Sequence, residues 1–219
     1  GLGDVYKRQD HKRAYDKDKG PNTGGMGAYS PAPVLTKEIE DKAISKIIKP
    51  CLNEMKKRGA PYEGVLYAGL MIKDTEPKLV EFNTRFGDPE CQVLMMRLGG
   101  QILDLILATC ERKLNEARVV WANDHALTVV IATNGYPIKY LKGSKILGSE
   151  SIEEDSTKML FHAGTKKDGE NIIANGGRVL NATARGSTIQ EAKVKAYKMI
   201  EEINWKDGFY RKDIGWRAL

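Results

Sequence analysis

Cysteine and histidine are both scarce in this 219-residue chain, at three residues each. Cys51, Cys91 and Cys110 are odd in number and form no Cys-x-x-Cys pair. That argues against a disulfide framework and for structural thiols in a reducing compartment. His11, His125 and His162 are scattered, which excludes a histidine-based zinc site of ordinary spacing. His125 opens one apolar stretch and His162 follows another, so both read as strand-end packing residues. No apolar run approaches the length of a membrane span, and no charged-then-apolar leader with a small-residue cleavage site is present. A cytoplasmic protein without a membrane partner is expected. A Gly-x-Ser-x-Gly elbow is absent and no cysteine–histidine pairing suggests itself, which disfavours covalent catalysis by a protein nucleophile. There are no repeats and no low-complexity tracts.

What is present is ordinary for a globular protein: 41% hydrophobic and 29% charged residues, with a formal net charge of +6. The basic residues are dispersed, and the densest cluster, Lys56-Lys57-Arg58, sits at the end of an expected helix, where cations complement the helix dipole. Binding of nucleic acid is therefore not expected, and no aromatic stacking motif supports it. The first nine residues, Gly1 to Gln9, show no period and read as a non-native leader.

Residues 18–34 are rich in glycine and proline. A helix is expected after Thr36 as N-cap, with Ile39, Ala43, Ile47, Cys51 and Met55 on one buried face, a kink at Pro50 and a stop at Gly59. Gly64–Ile72 reads as a buried strand, paired through a turn at Asp74-Thr-Glu-Pro77 with a second strand over 78–84. Asp88-Pro89 reads as an N-cap with proline at the first helical position, followed by helices over about 89–98 and 101–112 that are interrupted by Gly99-Gly100. Composition shifts at Glu116–Asp124, an expected domain boundary. Strands are expected at Ala126–Thr133, Met159–Ala163 and Gly177–Ala184, with a turn at Asn134-Gly-Tyr-Pro137. The last helix carries a capping box at Ser187-Thr-Ile-Gln190 and the stripe Ile189, Ala192, Ala196, Met199 and Ile203.

The stretch Leu79-Val-Glu-Phe-Asn-Thr-Arg-Phe-Gly-Asp-Pro-Glu90 carries the most chemistry. Alternation along a strand turns Glu81, Asn83 and Arg85 to one face and Val80 and Phe82 to the other, toward a core. A carboxylate and an amide two residues apart offer two hard oxygen donors, as magnesium requires, with phosphate completing the shell. Arg85 can stabilise a transferring phosphoryl group or pair with Glu81 or Asp88. Asp88 is first a helix cap, with substrate contact as a second role. The loop Gly20-Pro-Asn-Thr-Gly-Gly-Met-Gly27 has four glycines in eight residues. It suits a phosphate cradle or a mobile connection equally, and it matches neither the Walker pattern nor a dinucleotide fingerprint.

Gln9-Asp-His-Lys-Arg13, Asp18 through Pro33, Gly64-Val-Leu-Tyr-Ala-Gly-Leu-Met71, Glu81-Phe-Asn-x-Arg-Phe-Gly-Asp-Pro-Glu90, Gly177-Arg-Val-Leu180 and Tyr210-Arg-Lys-Asp-Ile-Gly215 together resemble the phosphoribosylamine–glycine ligase family. That family lies within the ATP-grasp carboxylate–amine ligases. The resemblance implies an α+β fold: the core half of an ATP-grasp domain over residues 10–117, then a small β-rich C-terminal domain with a terminal helix over 118–219. It implies that glycine, ATP and 5-phosphoribosylamine are substrates, joined through glycyl phosphate in purine biosynthesis. It implies Glu81 and Asn83 as ligands of magnesium or manganese, Arg85 on the transferring phosphoryl group and Asp88 facing the substrates. Asn22, Thr23, Gly24, Gly25, Met26 and Gly27 would border the substrate site. The family enzyme is about twice this length, so the chain is expected to be an inactive fragment. The N-terminal half would then be its partner, and apolar surface would be exposed at the truncation. The competing readings are another ATP-grasp ligase or carboxylase, and a non-catalytic nucleotide- or RNA-binding module.

Overall fold

The computed structural model describes residues 9–219. The expected leader at residues 1–9 lies outside them, apart from the backbone of Gln9. The described residues group into two compact units that are not sequential: one comprises 32–87 and 100–120, the other 9–31, 88–99 and 121–219. This grouping by contacts differs from the sequential boundary expected near residue 117, because the glycine-rich loop and the first helix after Pro89 pack with the C-terminal residues.

In the first unit, the helix Lys37–Ala43 starts at Thr36, whose side chain accepts from the Ile39 amide as an N-cap does. A π-helical turn over Ile44–Ile48 precedes the helix Lys49–Lys57, so the kink expected at Pro50 takes the form of a π-turn. The extra residue in that turn shifts the phase of the apolar stripe. Ile39 and Ala43 are buried, Ile47 and Cys51 are half-buried, and Met55 is exposed. Gly59, at φ +75°, ends the helix as expected.

The strands Tyr67–Lys73 and Glu76–Asn83 pair as an antiparallel hairpin. Its two-residue turn, Asp74 and Thr75, has φ of 51° and 61°, the left-handed pair that matches strand twist. The hairpin departs from expectation in two respects. Among the described residues it has no third strand, so Tyr67–Lys73 is half-buried at best and Met71 is exposed. Glu81 pairs with Gly69 and Leu79 with Leu70, which leaves Val80 as a β-bulge. The bulge interrupts the alternation: Val80 is 65% exposed rather than in a core, and Phe82 is half-buried. The helix Gln101–Cys110 completes this unit, and its Leu103, Ile106 and Leu107 are exposed.

The second unit is built on an antiparallel sheet in the order Gln9–Asp10, Gly27–Ser30, His125–Thr133, Arg178–Gly186, Lys158–His162, with Gly208–Phe209 also pairing to His125–Thr133. Both faces are covered. Ala126 and Ala28 pack with Val93 and Met96 of the helix Glu90–Leu98. Leu127 lies by Gly215 and Ile189, at the start of the helix Ile189–Glu201. A strand covered on both faces needs apolar residues at consecutive positions, which is why Ala126–Thr133 is a continuous run and not an alternation. The buried hydroxyls of Thr128 and Thr183, opposite each other in the sheet, satisfy one another at 2.7 Å.

The terminal helix corrects the expected cap by one residue. Thr188 is the N-cap and accepts from the Glu191 amide at 3.1 Å, while the Glu191 carboxylate reaches back to the Ser187 amide at 2.8 Å. A carboxylate at the third helical position makes the reciprocal bond better than the neutral amide of Gln190 could. Ile189, Ala192, Ala196 and Met199 are buried as the stripe requires, joined by Ile200, and Ile203 lies beyond the helix end. No single described helix is long and apolar enough to cross a membrane.

Candidate functional site

Glu81 and Asn83 follow the Val80 bulge on the strand Glu76–Asn83, so the two remain in phase on one face. The Glu81 side chain is exposed and crosses Gly69, where a Cβ would lie 3.2 Å from Glu81 Cγ. Arg85 turns back on its own segment: Nη1 donates to the Phe86 carbonyl at 2.7 Å, and Nη2 reaches Asn83 Oδ1 at 3.4 Å. The structure thus brings Asn83 and Arg85 together. Among the described residues no group of three or more His, Cys, Asp or Glu is placed to hold a metal. Glu81 and Asn83 place two hard oxygen donors, of the kind a divalent cation takes, on one strand face.

The remaining residues singled out in the sequence lie in the other unit. Asp88 is not a cap: Pro89 occupies that position, and no side chain bonds the helix start. Its carboxylate is held by Arg178, with Nη2 3.1 Å from Oδ2, while Arg178 Nη1 donates to the Asp88 carbonyl at 2.7 Å. A charged fork that meets both carboxylate and carbonyl outcompetes a local capping bond. Gln92 reaches the other carboxylate oxygen at 3.4 Å.

The same guanidinium reaches the glycine loop. Arg178 Nη1 lies 3.3 Å from the Gly25 carbonyl, and a Cβ on Gly24 would fall 2.8 Å from Arg178 Cζ. Gly25, at φ +121°, has no room for a side chain against Asp10 Oδ1 and Pro89 Cδ, both 2.6 Å from a built Cβ. Four successive loop amides are already engaged. Thr23 N donates to the Lys12 carbonyl, Gly24 N to the Tyr136 hydroxyl, Gly25 N to Thr23 Oγ1 and Met26 N to the His11 carbonyl, all within 2.8–3.0 Å. These bonds tie the loop, read in the sequence as a phosphate cradle or a mobile connection, to Lys12, His11 and Tyr136. Asn22 and Gly24 are exposed, Thr23 is half-buried, and Gly25, Met26 and Gly27 are buried.

Behind the loop, Asp10 is half-buried as a residue but both its carboxylate oxygens are inaccessible, and Oδ1 lacks any hydrogen-bond partner. Its Oδ2 is ion-paired with Lys12 Nζ at 2.9 Å. Burial first, and then the Glu90 charge, push this carboxyl up to about 7, against the pull of Lys12 and Arg178. The adjacent His11 is buried and accepts from the Gly215 amide through Nε2 at 3.1 Å. Burial, with Arg211 and Arg217 nearby, lowers it to about 4. Arg178 and Tyr136 were given no site role from the sequence, although Arg178 lies in the motif Gly177-Arg-Val-Leu180 and Tyr136 in the turn Asn134-Gly-Tyr-Pro137; a Cβ on Gly177 would lie 2.2 Å from the Tyr136 ring.

A carboxylate–amide strand with an adjacent arginine, joined in one chain to a doubly covered antiparallel sheet with its glycine loop, defines an ATP-grasp type of protein. Two family models match in succession: the ATP-grasp (A) domain of phosphoribosylglycinamide synthetase over residues 3–91 and its C domain over 126–217. The chain belongs to the phosphoribosylglycinamide synthetase family. It is 54% identical over 215 residues to the chloroplastic phosphoribosylamine–glycine ligase of Arabidopsis thaliana, covering 96% of this chain and 40% of that protein. It is 53% identical to the phosphoribosylamine–glycine ligase of Brucella melitensis, covering 96% and 49%. The crystal structure of the Thermotoga maritima phosphoribosylamine–glycine ligase is similar with a TM-score of 0.82 at 32% identity, covering 95% of this chain and 51% of that one. The chain spans about half the length of the curated relatives it matches.

Proposed function

We propose that this chain contributes the metal-binding strand and the substrate-bordering loop of a ligase that joins glycine to 5-phosphoribosylamine at the expense of ATP. In this reading the glycine carboxylate attacks the γ-phosphorus of ATP, giving glycyl phosphate and ADP. The amine of 5-phosphoribosylamine then attacks the glycyl carbonyl carbon, phosphate leaves and the amine gives up a proton, yielding glycinamide ribonucleotide, an intermediate of purine biosynthesis. An acyl phosphate is activated by its leaving group, so no protein nucleophile is needed. What the protein must supply is positioning and charge.

The observation that carries this reading is the in-phase pair Glu81 and Asn83 on the strand Glu76–Asn83, in a chain matching both family models in order. Glu81 and Asn83 would hold magnesium or manganese, which when bound neutralises phosphate charge. Arg85, already turned toward Asn83 Oδ1, would meet the phosphoryl oxygens. Asp88 would face the substrates through the part of its carboxylate that Arg178 leaves free. Asn22, Thr23 and Gly24 would border the substrates, while Gly25, Met26 and Gly27 would hold the loop's shape from within. The sequence boundary near residue 117 is kept as the division between the ATP-grasp part and the C domain.

The test is formation of glycinamide ribonucleotide from glycine, 5-phosphoribosylamine and ATP. It is run on the 219-residue chain alone and on a fusion that supplies the remaining half of the Brucella relative. The fusion turns over and its Glu81→Gln variant does not, whereas the chain alone is inactive. Turnover by the chain alone, or ATP consumption by the fusion that ignores glycine, would overturn the reading.

A further inference from the structure

We propose that Arg178 is a positioning residue that locks the glycine loop to Asp88, so that the two motifs are presented as one rigid piece. The inference starts from register. The strand Arg178–Gly186 pairs with His125–Thr133 through a bulge: Arg178 lies opposite Ala132 and Leu180 opposite Ile131, leaving Val179 extra. A bulge re-aims the side chain beside it. Here the guanidinium lies against Gly24, where a Cβ would fall 2.8 Å from its Cζ and only hydrogen leaves room.

From that position Arg178 makes three bonds to two segments far from it in sequence: the Asp88 carbonyl, the Asp88 carboxylate and the Gly25 carbonyl. Its side chain is only 19% exposed, while Asp88 is 45% exposed. The arginine is therefore inside the joint and the aspartate keeps a free side. Tyr136 reinforces the joint from the neighbouring loop, taking the Gly24 amide at 3.0 Å and packing over Gly177. A lysine could not replace this fork, since a single ammonium cannot span a carboxylate, its own backbone carbonyl and a second carbonyl in plane. The function assigned to Arg178 is to fix the direction of Asp88 and the conformation of residues 22–25 before any substrate arrives.

The significance for catalysis rests on the ligase reading above, and the experiment separates the two. Amide hydrogen exchange is followed in the 219-residue chain for the wild type, Arg178→Lys and Gly24→Ala. Exchange at Gly24, Gly25 and Met26 rises about tenfold or more in Arg178→Lys, the scale of losing a charge-assisted bond, while the amides of His125–Thr133 keep wild-type protection. Gly24→Ala, which displaces the guanidinium from the other side, gives the same local pattern. Unchanged loop exchange in either variant, or a uniform rise that includes His125–Thr133, overturns the proposal. In the ligase-competent fusion, Arg178→Lys lowers kcat with the KM for ATP unchanged. A raised ATP KM at unaltered kcat would overturn the positioning role. The exchange measurement needs no ligase activity, so failure of the ligase reading leaves it intact.

Discussion

Asp10→Asn should stabilise this protein at pH 8 and leave it unaffected at pH 4. In the folded chain the Asp10 carboxyl is raised from 3.8 to about 7 by burial and by Glu90, with Lys12 and Arg178 opposing. Between those values the folded state holds a proton that the unfolded state has lost, so stability falls as pH rises through the interval. About three pH units at about 1.4 kcal/mol each set an upper figure of about 4 kcal/mol. The buried Oδ1 without a donor gives an independent lower figure of about 1–3 kcal/mol. His11 works in the opposite direction. Lowered from 6.5 to about 4 by burial and by Arg211 and Arg217, it contributes stability that is present above the higher value and lost as pH falls, about 3 kcal/mol in all. The two slopes nearly cancel between pH 4 and 6.5, and the wild type should be close to flat there. Removing Asp10 unmasks the His11 slope, and stability of Asp10→Asn rises by about 3 kcal/mol over that range. His11→Gln unmasks the other, and its stability falls by up to about 4 kcal/mol between pH 4 and 7. Urea unfolding followed by tryptophan fluorescence at pH 4.5, 6 and 8 reads all three proteins. An Asp10→Asn advantage of equal size at pH 4.5 and 8, or a loss of stability at pH 8, would refute the reasoning.

Two further stability predictions follow from buried charge and from capping. Arg211 is wholly buried and donates to Asp213, Asp18 and the Arg13 carbonyl, so Arg211→Met takes the guanidinium from Asp213 and leaves Asp18 to Arg217 alone; it costs about 3–5 kcal/mol, read as a fall in urea midpoint at pH 7. Because Arg211 holds Asp213 down to about 2, that loss shrinks as pH falls toward 2 and the carboxylate takes up its proton. Thr188→Ala removes the acceptor for the Glu191 amide and costs about 1 kcal/mol, whereas Gln190→Ala is within about 0.5 kcal/mol of wild type, which thermal melting resolves.

Much of the fold was legible because its signals are local. The unbroken run Ala126–Thr133 announced a strand covered on both faces, and the stripe from Ile189 to Met199 announced a helix with one buried face. The in-phase placement of Glu81 and Asn83 was legible for the same reason. Features set by pairing were not. The bulge at Val80 exists only relative to the partner strand, since it depends on Gly69 and Leu70 lying opposite Glu81 and Leu79. The π-turn at Ile44–Ile48 shifted a stripe that reads as continuous in the sequence. The cap assigned to Asp88 failed because its competitor, Arg178, is 90 residues away.

The glycine loop shows why composition alone leaves two chemistries open. Glycine admits close approach, and the approaching group can be a ligand's phosphate or the protein's own side chain. At Gly24 and Gly25 the approaching groups are Arg178, Asp10 and Pro89, and the amides that could have faced an anion are spent on Tyr136, Thr23 and backbone carbonyls. The glycines therefore admit the protein's own groups at these positions. Their requirement is steric and long-range, which explains why Gly177 belongs with them although it lies on the far side of the sequence, against the tyrosine that takes the Gly24 amide. A loop fastened in this way presents its exposed residues, Asn22 and Gly24, in one fixed geometry beside Asp88. Alanine at Gly24 should then act on that geometry through Arg178, even though a methyl group there adds no charge and removes no hydrogen-bond donor.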